Sequence, residues 1–157
     1  MAPSLLFDIS GLDLDRVEID VPAIERVLPH RGVMRMLDGI NYLSADLNRA
    51  VAFKDTRADE FWVPGHIPGR PLFPGVLMVE AGAQLASYLT MRRLEHMKFM
   101  GFIGLDKVKF RGQVLPGDRL TLLCQGVQCK PRRSICALQG VVAGGIVFEA
   151  LITGMPM

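Results

Sequence analysis

The sequence predicts an α+β fold in which one long buried helix is wrapped by a curved antiparallel sheet. Three observations carry this expectation. From Pro74 to about Met97, apolar residues (Val76, Leu77, Val79, Ala81, Ala83, Leu85, Ala86, Leu89) cover nearly every helical face, and a helix without a polar face is buried. From Phe99 onward the chain reads as strands separated by turn signals. One buried helix followed by an antiparallel meander is covered most simply by a sheet that curves around it.

In chain order, residues 1–19 show little periodicity and are read as an extension or an edge strand. Residues 20–157 are read as a single domain. Asp20 to Leu28 has the signals of a short helix: Asp20 as its cap, Pro22 in its first turn and Pro29 to end it. Met34 to Lys54 alternates in part and predicts two strands around a turn near Ser44 to Asn48. Arg57 to Trp62 suits a helical turn. Val63 to Pro74 is a loop stiffened by Pro64, Gly65, Pro68, Gly69, Pro71 and Pro74. Pro74 and Gly75 open the long helix. The expected strands after it are Met100–Leu105, Lys107–Gln113, Arg119–Gln128, Ser134–Ala143 and Ile146–Thr153. Pro116-Gly117-Asp118, Lys130-Pro131-Arg132 and Gly144-Gly145 are the expected turns.

Composition narrows the function classes. Of 157 residues, 50% are hydrophobic and 22% charged, which argues against disorder. The formal net charge of +2 gives no general attraction to nucleic acid, and neither a basic patch interleaved with aromatics nor a nucleic-acid motif is present. The N-terminus lacks a basic region before its short apolar run, which argues against a secretory signal. Glu80 and Gln84 interrupt the most apolar stretch, so it reads as a core helix rather than a membrane span. Cys124, Cys129 and Cys136 form no paired Cys-x-x-Cys set with histidines, so no zinc site is expected. They read as free thiols in a reducing, cytoplasmic setting.

Three neighbouring features carry chemistry. Glu80 is the only charged side chain between Gly75 and Met91. A carboxylate there is costly unless paired, protonated or facing a cavity. It is either a structural group at an interface or a proton donor of raised pKa. Gln84, one turn on, can hydrogen-bond it. His66 alone would be equally at home in a structural role, but its proline- and glycine-bound loop suits a preorganised base. His30 is read as structural and His96 as solvated. The helix start at Gly75 offers amides without intrahelical acceptors and positive dipole potential, enough to polarise a carbonyl oxygen.

The run Gly65-His66-Ile67-Pro68-Gly69-Arg70-Pro71-Leu72-Phe73-Pro74-Gly75-Val76-Leu77-Met78-Val79-Glu80-Ala81-Gly82-Ala83-Gln84 resembles the hallmark of the (3R)-hydroxyacyl-acyl-carrier-protein dehydratases, the FabZ-like branch of the hot-dog superfamily. Leu28-Pro29-His30-Arg31 with Leu37-Asp38, Gly104 to Phe110, and Val114 to Asp118 resemble further segments of that family. The resemblance covers about residues 20–153. There are departures: Gly32-Val33 follow the Pro-His-Arg motif in place of an aromatic-proline pair, Ile67 replaces phenylalanine, and Gly101 stands where an aromatic often gates the acyl tunnel, with Phe102 beside it.

The resemblance implies a hot-dog fold and a dimer of hot-dogs, with assembly into a trimer of dimers left open. It implies catalysis by His66 and by Glu80 of the other subunit, with the thioester carbonyl received at the Gly75 amide and substrate contacts from Val76, Gln84 and Phe102. The implied reaction is loss of water from a 3-hydroxyacyl thioester in fatty acid biosynthesis. No metal or redox cofactor is implied. The substrate is carried on the phosphopantetheine of acyl carrier protein, for which Lys107, Lys109 and Arg111 on one strand face, or Arg132 and Arg133 with Lys130 at one turn, are candidate docking residues. A hot-dog thioesterase, an enoyl-CoA hydratase and a non-catalytic acyl-binding subunit are the alternatives.

Overall fold

The computed structural model describes residues 4–95 and 98–157; His96 and Met97, the expected end of the long helix, lie outside these. Helix α1 spans Val21–Glu25, and the Asp20 carboxylate accepts the Ala23 amide at 2.9 Å as its cap. It is shorter than expected because the Val27 and Leu28 amides both turn back to the Ile24 carbonyl ahead of Pro29. The strand pair expected from Met34 begins later. Gly32–Met34 is a 3-10 turn, with Gly32 at φ 59°, and the strands are β1 (Gly39–Leu43) and β2 (Arg49–Asp55).

Helix α2 spans Gly75–Arg93. It is followed by β3 (Met100–Phe110), β4 (Arg119–Lys130), β5 (Arg133–Val142) and β6 (Gly145–Pro156). The two strands expected over 100–113 are therefore one. Strand β3 carries irregularities against β6 between Phe102 and Gly104 and between Asp106 and Lys109, with Lys107 at φ 52°. A bulge restarts side-chain alternation and so reads in sequence like a strand break. The β5–β6 turn is also displaced by one residue: its tip is Ala143-Gly144, both at positive φ.

All six strands form one antiparallel sheet in the order β1-β2-β4-β5-β6-β3. Its inner face takes α2, whose Ala81, Leu85, Tyr88 and Leu89 share a core with Leu120, Leu122, Leu138, Phe148 and Ile152. Residues 4–19 cross the outer face as a strap. Phe7 packs with Val51, Leu123 and Val141 in a second apolar cluster, and the Arg49 guanidinium lies over its ring. The Leu6 amide donates to the Gln139 side chain at 2.8 Å, and Asn41 donates to the Leu14 and Arg16 carbonyls at 2.9 Å. The middle of the sheet is thus covered on both sides, which explains why Ala50-Val51-Ala52-Phe53 is buried without alternation.

Strand β3 is the exception to this coverage. It lies at the edge of the sheet and pairs only with β6 among the described residues. Phe102, Ile103, Leu105 and Phe110 are all at least 40% exposed along it. A long apolar edge left open in this way is a ready template for pairing with another chain.

Candidate functional site: two half-sites on one chain

The His66 loop hangs from a rigid anchor. Trp62 is buried and meets Phe73 edge-on at 5.3 Å between ring centres. The Trp62 carbonyl accepts the His66 amide at 2.8 Å, and the His66 carbonyl accepts the Leu72 amide at 3.0 Å. A buried ion pair supports the preceding turn, with Lys54 3.0 Å from Glu60 and 3.6 Å from Asp38. The ring is fixed as well, since His66 Nδ1 lies 2.9 Å from the Leu72 carbonyl oxygen. A carbonyl only accepts, so Nδ1 carries the proton and Nε2 is left with a free lone pair. This contact fixes the direction in which the Nε2 lone pair points.

His66 lines an open recess of about 360 Å³ together with Phe73, Gly75, Val76, Phe110 and Gly112. The first turn of α2 borders it. The Pro74 carbonyl accepts the Leu77 and Met78 amides, while the amides of Gly75 and Val76 precede the first helical bonds and are free to bind a ligand. A Cβ at Gly75 would meet the Phe110 ring at 2.8 Å, so glycine is required for that close approach.

Glu80 faces a different recess, of about 100 Å³, which it shares with His30, Gln84, Ser87, Thr90, Phe102 and Ser134 among others. Gln84 is buried and wired on three sides. It donates to Glu80 Oε1 at 2.8 Å and to the Met34 carbonyl at 2.7 Å, and accepts the Met36 amide at 2.9 Å. The His30 ring, read from sequence as structural, lies beside Glu80 with Nε2 3.5 Å from Oε1. Its Nδ1 is buried without a partner among the described residues. A proton on that atom would be an unsatisfied donor, so Nε2–H is the form that faces Glu80. Both neighbours therefore address Oε1 and leave Oε2 for a ligand. The Pro29-His30-Arg31 motif was the signal for this role, but chain separation hid the contact.

Gln84→Leu tests this wiring. It strands the Met36 amide in the interior and should destabilise the fold by about 1–3 kcal/mol, read as a lower urea midpoint at unchanged slope.

The six predicted active-site residues therefore divide. His66, Gly75 and Val76 line one recess, and Glu80, Gln84 and Phe102 line the other. The space an aromatic would occupy at Gly101 is taken by Met157, whose side chain a Cβ there would strike. Of the basic residues, Lys107, Lys109 and Arg111 share an outer groove with Leu6, Gln139 and Glu149. Arg111 is committed to Glu149 there. Burial pushes the Glu149 carboxyl up, but its bonds to Arg111 and Gln139 outweigh this and hold it below the ordinary value. Arg132 and Arg133 lie at the β4–β5 hairpin tip, about 20 Å from Gln139 at strand spacing. The two basic patches are separate surfaces. Among the described residues no helix is long and apolar enough to cross a membrane, and no group of three or more His, Cys, Asp or Glu is placed to hold a metal.

Residues 28–150 match the FabA-like domain family, a span that includes both recesses. The chain belongs to that family. Within it, this FabA-like chain is 35% identical over 136 residues to the 3-hydroxyacyl-acyl-carrier-protein dehydratase FabZ of Streptococcus gordonii, covering 86% of this chain and 96% of the relative. It is 36% identical over 145 residues to the bifunctional enzyme LpxC/FabZ of Chlorobaculum tepidum, covering 90% of this chain but only 30% of that longer protein. Among solved structures it superposes on a dehydratase heterocomplex from Xenorhabdus doucetiae with a TM-score of 0.71 at 14% identity, covering 85% of this chain and 90% of the other. That likeness is one of fold, and the fold is the hot-dog.

Proposed function

We propose that two copies of this FabA-like chain pair so that the His66 recess of each meets the Glu80 recess of the other, and that the joined site dehydrates (3R)-hydroxyacyl thioesters carried on acyl carrier protein. The observation that carries this reading is the division of the two chemical groups between recesses of one chain, combined with an exposed apolar edge strand that contributes Phe110 to one recess and Phe102 to the other. Each recess lacks half of what an elimination needs: one has a base and free amides, the other a carboxyl group.

In the joined site the thioester carbonyl accepts from the Gly75 amide, where the helix dipole stabilises enolate charge. His66 Nε2 takes the proton from C2. The C3–O bond breaks as the protonated Glu80 carboxyl gives its proton to the departing hydroxyl, so water leaves and a trans-2-enoyl thioester remains. Return of the proton from His66 to Glu80, through solvent, resets the pair. The reaction is a hydro-lyase step of fatty acid biosynthesis with no net redox change, and the chain works where carrier-bound acyl groups are built, in the cytoplasm. Lys107 and Lys109, the two cations of the outer groove not tied to Glu149, are the better docking candidates for an acidic carrier. Arg132 and Arg133 offer a second surface.

The test is incubation of the purified protein with a 3-hydroxyacyl thioester of the carrier. Growth of enoyl absorbance at constant thioester content is the expected result. Release of free thiol would assign a thioesterase instead, and no turnover with any chain length would leave an acyl-binding subunit.

A further inference from the structure

The far part of the Glu80 recess is mixed: Phe99, Met100 and Ile152 supply carbon, and a group of hydroxyls stands among them. Beyond Glu80 and Gln84, helix α2 presents the small side chains of Ala83, Ala86 and Ser87, and Thr90, its lining residue farthest from Glu80, joins Ser134, Cys136 and Thr153 from the sheet. Thr90 Oγ1 and Ser134 Oγ are 3.0 Å apart, and Ser134 Oγ donates to the Gln128 carbonyl at 3.3 Å. With its proton spent there, Ser134 accepts from Thr90, which leaves the lone pairs of the Thr90 hydroxyl uncommitted. Thr90 and Ser134 are both buried. Cys136 lines the recess beside them. Hydroxyls from α2, β5 and β6 thus converge among apolar neighbours, as the few polar groups of a mostly apolar pocket that fix what it selects.

We propose that this far end is a polar subsite selecting 3-hydroxyacyl chains that carry an oxygen substituent at the distal end. The inference rests on the dehydratase reading above and names the substrate class of that site. Glu80, which faces the hydroxyl at C3, and Thr90 are ten residues apart on one helix, about 15 Å at 1.5 Å per residue. An extended chain advances about 3.6 Å per three bonds, which places the distal oxygen about a dozen bonds beyond C3. A terminal methyl group would displace water from these hydroxyls and return nothing, whereas a hydroxyl or carbonyl oxygen replaces the water bond for bond.

The experiment compares three 3-hydroxyacyl carrier thioesters on the wild-type protein: a four-carbon chain, a fourteen-carbon alkyl chain and a fourteen-carbon chain with a terminal hydroxyl. The expected result is a kcat/KM at least about tenfold higher for the terminal hydroxyl than for the plain fourteen-carbon chain. In the near-isosteric Thr90→Val/Ser134→Ala double variant that ratio should fall below about twofold, because shape is kept and the bonding groups are lost. Equal or better turnover of the plain chain by the wild type would overturn the proposal, and so would a ratio that survives the double substitution. The four-carbon substrate stops short of the far end. Its turnover without discrimination between the fourteen-carbon chains defeats the polar subsite alone, whereas failure to turn over any of the three defeats the dehydratase reading and the subsite with it.

Discussion

His66→Ala and Glu80→Gln should each lose at least about 100-fold in turnover with folding preserved, the lower range for removing a general base or acid. Neither side chain supports the core: His66 is exposed at a loop, and Glu80 is only half-buried, bonded through Oε1. The more demanding result comes from mixing the two variants. If His66 and Glu80 act across a two-fold interface, a mixed dimer carries one site with both groups intact and one site with neither. Random exchange makes half of the dimers mixed, so about a quarter of wild-type activity should return on co-refolding two inactive preparations. Without recovery, in a preparation shown by mass to contain mixed dimers, the pair does not act between subunits and the joined-site proposal fails.

The second large effect is expected at the edge strand. Ile103 and Leu105 are half-exposed on β3, contribute to neither apolar core cluster and line neither recess. Ile103→Asp/Leu105→Asp places two like charges where the proposed dimer would bury apolar surface, a geometry that disfavours edge pairing. Light scattering should show the mass halved, with the circular dichroism of the folded sheet retained. Turnover should fall by at least about 100-fold, because each remaining half-site has only one of the two proton-transfer groups. A folded monomer of undiminished activity would refute the need for a partner subunit.

These two experiments concern the part of the site that the sequence shows least directly. Local chemistry was legible. The proline–glycine loop around His66, the lone carboxylate on α2 and the Pro-Gly helix start are short-range patterns, and each stands in the structure where the pattern indicated. The cap at Asp20 and the β4–β5 turn were equally readable, since capping and turn formation depend on neighbours in the chain. Where the sequence misled, a long-range pairing intervened. The bulges of β3 against β6 imitate a strand break, and the early β1 expectation failed because Met34 and Met36 bond to the Gln84 side chain and pairing with β2 begins only with the Asp38 amide on the Phe53 carbonyl.

The strap over the outer face had no signal at all. Leu6, Phe7, Ile9, Leu12 and Leu14 show no clear period, because an irregular segment that follows a curved surface buries residues wherever the sheet offers a hollow. The contact of His30 with Glu80 and the polar end of the Glu80 recess were hidden for the same reason: their members come from segments 40 or more residues apart.

The sequence by itself determined a buried helix inside an antiparallel sheet, membership of the FabA-like family, and the two residues, His66 and Glu80, on which the proposed chemistry rests. Hydropathy period, turn chemistry and a long contiguous motif are properties of neighbours along the chain. Only the tertiary structure decided that those two groups face different recesses of one subunit, that a 40%-or-more exposed apolar edge adjoins both, and that the Thr90 and Ser134 hydroxyls meet in the wall of the Glu80 recess. Each of these depends on which distant segments the curvature of the sheet brings together around α2, and strand register and curvature arise from packing across the whole domain rather than from any local run of residues.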